Sequence, residues 1–184
     1  MAEADRDHPL DGRLFATGAQ SGGISLEPCG IAERVSLRAD ADTVAALGIM
    51  LGFDLPKQPK TSTTAGPIMA LWLGPDEWLL IAQPGNGLNR KLADVENGNF
   101  SAVDISHRNT AIAVSGDKAA AALNAGCPQD LSLAAFPVSA CSRTILGKSE
   151  IVLLREAENG FRVECWRSFS DYVWKYLVDA AKSA

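Results

Sequence analysis

Two stretches of this 184-residue chain are written twice, and the repetition limits the fold more than any other feature. Val35-Ser36-Leu37-Arg38-Ala39-Asp40 leads into an apolar, helix-like run, and Ile112-Ala113-Val114-Ser115-Gly116-Asp117 does the same. Further on, Leu71-Trp72-Leu73-Gly74-Pro75-Asp76-Glu77-Trp78-Leu79-Leu80-Ile81 reads as strand, turn and strand before a run that ends at Leu92. Ile151 to Val163, with a turn over Glu156 to Gly160, repeats that plan before the run to Leu177. The first pair lies 77 residues apart (Val35 to Ile112) and the second 83 (Trp78 to Phe161), so a short insertion separates them. The pattern predicts an α+β fold of pseudo-duplicated βαββ units with antiparallel sheets and flanking helices, in two related halves at about 31–105 and 106–184. Such a duplication describes a scaffold more readily than a catalyst.

Within the first half, a strand is expected over Ile31 to Arg38. Asp40 or Asp42 then caps a helix by accepting backbone N–H bonds, Val44, Leu47 and Leu51 give it an i, i+3, i+7 stripe, and Gly52 stops it. Pro56 to Gly66 has neither period and reads as a surface loop. Ile68 to Leu73 and Trp78 to Ala82 flank Gly74-Pro75-Asp76-Glu77, the composition of a β-turn between antiparallel strands. A helix near Leu88 to Val95 and a strand near Val103 complete this half. The second half runs as strand 111–115, helix 117–125, strands near 143–146, 150–155 and 160–166, and a final helix 169–181. Residues 1–23, rich in Gly, Asp and Ser, read as an extended arm that packs on something or stays loose.

An apolar content of 47% over this length is enough to bury one core. A net charge of −5 with no clustered Lys and Arg argues against a nucleic-acid surface. No apolar run approaches the roughly 20 residues that span a bilayer, and the acidic start Met1 to Asp7 is unlike a signal peptide. A cytoplasmic location is the expectation. Cys29, Cys127, Cys141 and Cys165 never fall at Cys-x-x-Cys spacing, and the histidines are His8, in the arm, and His107. No metal site is expected, and the thiols read as reduced packing residues.

Catalytic signatures are missing: there is no Gly-x-Gly-x-x-Gly after a strand, no full Gly-x-x-x-x-Gly-Lys-Ser/Thr phosphate loop and no Gly-x-Ser-x-Gly elbow. One polar cluster stands out, Asp104-Ile105-Ser106-His107-Arg108-Asn109. Imidazole beside a carboxylate suits acid–base work and Arg108 suits an anion, but on a strand Asp104 and Ser106 share one side while His107 and Arg108 diverge. No catalytic or cofactor-binding residue is assigned. The final helix is more informative. Phe169, Val173, Tyr176 and Ala180 cluster on one face as a core stripe, leaving Trp174 and Val178 on the shoulder beside Asp171, Lys175, Asp179 and Lys182. Two readings stand for Trp174, contact with another protein chain or packing under the N-terminal arm. Trp166 and Trp174, with Val178, Arg167 and Arg108, are the candidate contact residues. Trp72 and Trp78 are expected to pair across their hairpin.

Asp104-Ile105-Ser106-His107, followed by Ile112 to Ala119, resembles the Asp-x-Ser-His, strand, Ser/Thr-Gly-x-x-Ala segment of glycine-cleavage aminomethyltransferases, the T-protein fold. Closer still, Leu71 to Leu80, Asp130-Leu131 with Phe136-Pro137, Cys141 with Thr144, and Arg167-Ser168-Phe169 with Tyr172 and Trp174 together resemble the gamma subunit of heterotetrameric sarcosine oxidase, from about residue 24 onward. The resemblance implies a T-protein-like folate-binding-domain fold and a non-catalytic, structural role among alpha, beta and delta subunits. That assembly oxidises sarcosine to glycine and hydrogen peroxide and passes the one-carbon unit to tetrahydrofolate, with FAD, FMN and NAD on other subunits and zinc on delta. A T-protein carries an Asp pair for folate where this chain reads Leu146-Gly147-Lys148-Ser149-Glu150-Ile151, so folate transfer by this chain alone is not implied. Two alternatives are a similar subunit of an N-methylglutamate dehydrogenase and a free-standing folate-binding protein.

Overall fold

The computed structural model describes residues 8–16, 23–95 and 98–184, so part of the expected arm lies outside the described residues. In chain order the elements are β1 (Phe15–Ala16), β2 (Ser25–Pro28), β3 (Glu33–Ala39), α1 (Ala41–Leu51), β4 (Ser62–Ala65), β5 (Ile68–Gly74), β6 (Glu77–Ala82), α2 (Leu88–Ala93), β7 (Phe100–Asp104), β8 (Asn109–Ser115), α3 (Ala119–Asn124), β9 (Cys141–Leu146), β10 (Ser149–Ala157), β11 (Gly160–Trp166) and α4 (Ser170–Ser183). They form two antiparallel sheets with few helices, an α+β fold. The chain divides into two compact units, one of residues 32–106 and 139–142, the other of the chain up to Ile31, 107–138 and 143–184.

The first unit carries a sheet in the order β4-β5-β6-β3-β7. Its helix α1 forms for the local reasons the sequence gives. The Asp40 carboxylate accepts the N–H of Thr43 at 2.9 Å, which holds its acid below the ordinary range, and Gly52 ends the helix at φ 82°. Val44, Leu47 and Leu51 join Val35, Leu37, Trp78 and Leu80 in one buried cluster, and each fully buried aliphatic side chain contributes about 1.5–3 kcal/mol. Trp72 stands opposite Trp78 across the β5–β6 hairpin, as expected, and the Trp78 indole donates to the Pro56 carbonyl at 2.7 Å. The loop expected over 56–66 is corrected: Ser62–Ala65 is strand β4, paired with β5. An edge strand of Ser and Thr with one open face has no apolar alternation to betray it.

The second unit carries the order β1-β2-β8-β11-β10-β9, with α3 and α4 packed together and α4 against β8 and β11. His8 of the arm sits with Nε2 2.8 Å from Thr110 Oγ1, and Leu10 is fully buried. Arg13 reaches Asp171 of α4 at 2.8 Å.

Both sequence offsets reappear as hydrogen-bond register. The pairs Val35–Leu80 and Leu37–Trp78 of the first sheet become Ile112–Val163 and Val114–Phe161 in the second. Trp72–Trp78 becomes Arg155–Phe161, and the bulge between Trp72 and Gly74 recurs between Arg155 and Ala157. A third offset, 76 residues, joins β2 to β7: Leu26 opposes Val114 as Ala102 opposes Leu37. The Cys29 N–H donates to Ala111 as the Ile105 N–H donates to Arg34, both at 2.9 Å. These two strands are exchanged. β2 precedes β3 in the chain but pairs with β8, while β7 precedes β8 but pairs with β3.

Candidate functional site

The polar cluster at 104–109 runs from the end of one strand through a turn to the start of the next, and its groups are used to hold the fold. Asp104 closes β7, residues 106–108 turn, and β8 begins at Asn109. One oxygen of the Asp104 carboxylate accepts the Ser106 N–H and the other accepts from Asn89 Nδ2, both at 2.8 Å. Buried Ser106 accepts the Arg34 N–H at 2.9 Å. His107 is exposed, and the carboxylate that would serve it is oriented toward Ser106 and Asn89. Glu150 is likewise exposed, just after the β9–β10 turn at Gly147. Among the described residues no three His, Cys, Asp or Glu side chains gather in a way that would hold a metal ion.

The charged groups that are buried serve the sheet. Arg162 binds Glu164 at 2.8 Å. Burial pulls its pKa down, but Glu164, Cys29 and Glu156 together push it above the ordinary value. Arg155 donates to the carbonyls of Leu131 and Glu158 and lies over the Phe161 ring at 4.3 Å. Burial lowers its pKa against the pull of Glu158. The Cys141 thiol donates to the Thr61 carbonyl at 3.1 Å, and burial pushes it up to about 12. Such a thiol is a packing group, since the thiolate is the reactive form.

What the surface does offer is an aromatic and basic cluster at one end of the second sheet. Pairing of β8 with β11 sets Asn109 opposite Trp166. The Arg167 N–H then donates to the Arg108 carbonyl at 2.7 Å, which draws the two arginines to the same corner. The Arg108 guanidinium lies 5.3 Å from the centre of the Trp166 ring, within cation–π range. Phe169 meets Trp166 edge-on at 6.2 Å. Trp166 and Phe169 are each 42% exposed and Tyr172 37%. Residues 167–169 form a single 3-10 turn, so Phe169 and Tyr172 follow Trp166 along one exposed edge.

Three candidate contact residues, Arg108, Trp166 and Arg167, therefore come together. Trp174 does not join them. The buried face of α4 is Ser170, Val173, Trp174, Leu177 and Ala181, which rotates the stripe expected from Phe169, Val173, Tyr176 and Ala180. The 3-10 turn starts the α-helix at Ser170, and Trp174 enters the core at 7% exposure. Val178, one turn on, is half-buried. Tyr172 and Tyr176 flank that face through their hydroxyls, one accepting the Lys148 N–H at 3.1 Å and the other donating to the Ala125 carbonyl at 2.9 Å. Phe169 escaped the sequence reading because its wheel position is that of a core residue; the Arg-Ser-Phe segment before the helix was the available signal.

Comparison with known proteins places this surface in context. A family model described as "Sarcosine oxidase, gamma subunit family" matches residues 36–183. "Sarcosine oxidase subunit gamma" of Arthrobacter sp is 32% identical over 170 residues, covering 90% of this chain and 84% of the relative. The protein of the same name from Corynebacterium sp. (strain P-1) is 32% identical over 172 residues with the same coverage. Among solved structures, a chain of heterotetrameric sarcosine oxidase from Corynebacterium sp. U-96 in complex with pyrrole 2-carboxylate superposes with TM-score 0.83 at 27% identity, covering 88% of this chain and 85% of that one. The glycine cleavage system aminomethyltransferase T from Bartonella henselae shares the fold, with TM-score 0.63 at 15% identity over 83% of this chain and 45% of that one.

Proposed function

The chain belongs to the sarcosine oxidase gamma subunit family, and we propose that it is the structural gamma subunit of a heterotetrameric sarcosine oxidase. The assembly oxidatively demethylates sarcosine to glycine and hands the one-carbon unit to tetrahydrofolate. The chain's own part is to complete the complex: alpha, beta and delta subunits are its partners and bear the FAD, FMN, NAD and folate sites. No complete active site belongs to this chain. One observation carries this reading, namely that the polar clusters are consumed by the fold while Trp166, Phe169 and Arg108 stand exposed together. Trp and Arg are the residues most enriched where subunits bind each other. Arg108, Trp166 and Arg167 are the contact residues of choice, and Trp174 and Val178 support them from the neighbouring helix. Cytoplasmic residence goes with this role; among the described residues no helix is long and apolar enough to cross a membrane. The N-methylglutamate dehydrogenase and free-standing folate alternatives draw no support from the relatives described above.

Co-purification tests the proposal. A tagged chain isolated at mild salt should bring down a yellow assembly several times heavier than its own 19.5 kDa, active on sarcosine with peroxide release. Trp166→Ala should cut recovery of the partners by roughly tenfold while leaving the melting curve unchanged. A colourless monomer that binds tetrahydrofolate would overturn the proposal.

A further inference from the structure

The exchanged strands β2 and β7 hold equivalent places in the two sheets but end differently. β2 is covered on its outer side by β1, with Phe15 opposite Leu26 and Ala16 opposite Ser25, and Leu26 is fully buried. β7 is the last strand of its sheet. Ser101, Ala102, Val103 and Asp104 are all exposed, and among the described residues no strand covers its outer edge; only Asn89 of α2 reaches Asp104 at one end and half-buried Phe100 packs on the core cluster at the other. Hydrogen-bond alternation fixes which backbone groups are free. Ile105 donates to Arg34 and Asp40 to Asn99, so Ser101 and Val103 spend their groups on β3, and the N–H and C=O of Ala102 point outward. Native sheets guard such edges with Lys, Pro or a bulge, and β7 has none of these: its register with β3 runs unbroken from Asp104 to Phe100.

We propose that the outer edge of β7 receives an extended segment of a partner subunit, pairing antiparallel and centred on Ala102, in the place that β1 takes on β2. The inference rests on the subunit reading above and names a second point of attachment, by strand addition. A second copy of this chain does not fit the role. Two edges of 5 residues meeting alone fall well short of the roughly 20–30 residues a side of a standard interface, so the incoming strand belongs to a larger contact. Recognition is by main chain, because the Asp104 carboxylate is committed to Ser106 and Asn89. An apolar side chain on the incoming strand lies beside Ala102, as Phe15 lies beside Leu26.

Ala102→Pro tests this within the full complex. Its N–H is not used on β3 and proline is tolerated at such an edge position, so the fold should survive, with Ala102→Val as the control that keeps the N–H. Expected are a roughly tenfold or greater loss of partner recovery for Ala102→Pro, none for Ala102→Val, and at least about tenfold slower hydrogen exchange at the Ala102 amide of the unmodified chain once it is assembled. Equal recovery for Ala102→Pro, or an Ala102 amide that exchanges as fast in the complex as in the free chain, overturns the docking edge and leaves the subunit reading standing. Self-association of the isolated chain that Ala102→Pro abolishes would also overturn it, by assigning the edge to a second copy. If the unmodified chain captures no flavin-bearing partner, the subunit reading fails and the docking edge fails with it. Where Ala102→Pro does not fold, the exchange measurement decides alone.

Discussion

At one position in each sheet the two units solve the same packing problem with different chemistry. In the first, Trp72 stands opposite Trp78. In the second, Arg155 stands opposite Phe161 with its guanidinium 4.3 Å from the ring. The bulge beside each is the same, and each buries one N–H, Trp72 Nε1 and Arg155 Nε, without a hydrogen-bond partner. The backbone thus demands a flat group against a cross-strand ring and is indifferent to its charge. What differs is the work added. The tryptophan pair belongs to an apolar cluster and is tied by one indole bond to Pro56, whereas Arg155 gathers the carbonyls of Leu131 and Glu158 and so fixes the loop after α3.

The strongest test of that comparison is to remove both rings. Trp78→Ala and Phe161→Ala should each cost about 3–5 kcal/mol, the first more because the Pro56 carbonyl also loses its donor; urea midpoints at unchanged slope measure the difference. Equal costs would mean that the indole bond adds nothing. Next, Arg155→Trp writes the first unit's pair into the second. It should cost about 2–3 kcal/mol, since two carbonyls lose a charged donor, and proteolysis near Leu131 should rise; an unchanged midpoint would show that shape alone is required there. A smaller contrast lies in the helices. A Cβ at Gly126 would fall 2.3 Å from the Tyr176 hydroxyl, whereas one at Gly52, at φ 82°, meets nothing within 4 Å. Gly126→Ala should therefore cost about 1–3 kcal/mol through displaced packing, and Gly52→Ala about 1 kcal/mol through backbone strain alone.

The smallest effect concerns one thiol from each unit. Half-buried Cys29 should alkylate in the folded chain at pH 8, and buried Cys141 only on unfolding. Burial raises Cys141 from 9.0 to about 12, so the folded state holds the neutral thiol while the unfolded chain ionises. Its contribution is complete below pH 9 and is lost as pH rises toward about 12. Cys141→Ala should flatten the stability profile in that window, and a profile that does not change would remove Cys141 as its cause.

The duplication was legible because it is carried by buried strands, where alternation and turn chemistry leave residues little freedom. The offsets of 77 and 83 residues are the pairing registers themselves. The exchange of β2 and β7 was not legible. Ser25-Leu26-Glu27-Pro28 and Ser101-Ala102-Val103-Asp104 share only a serine, and partner choice between distant strands leaves no local mark. Strand β4 was hidden by its polar edge character. In α4 the wheel placed apolar residues correctly on a helix but centred the stripe wrongly, because tyrosines that reach Lys148 and Ala125 with their hydroxyls count as core on a hydrophobicity scale. The corner of Arg108, Trp166 and Arg167 was half legible: the residues were singled out, while their meeting depends on the β8–β11 register.

Exchange of the two strands also sets an order of events during synthesis. β7 leaves the ribosome after its partner β3 and closes the first sheet at once. β2 leaves before its partner and, with apolar Ile24 and Leu26, must wait until β8 follows, Val114 coming 88 residues after its partner Leu26, which at roughly 5–20 residues per second is about 4–18 seconds. Through that interval the nascent chain holds one nearly finished unit and one orphan strand, and it is during synthesis, more than in the finished protein, that Leu26 most needs shelter.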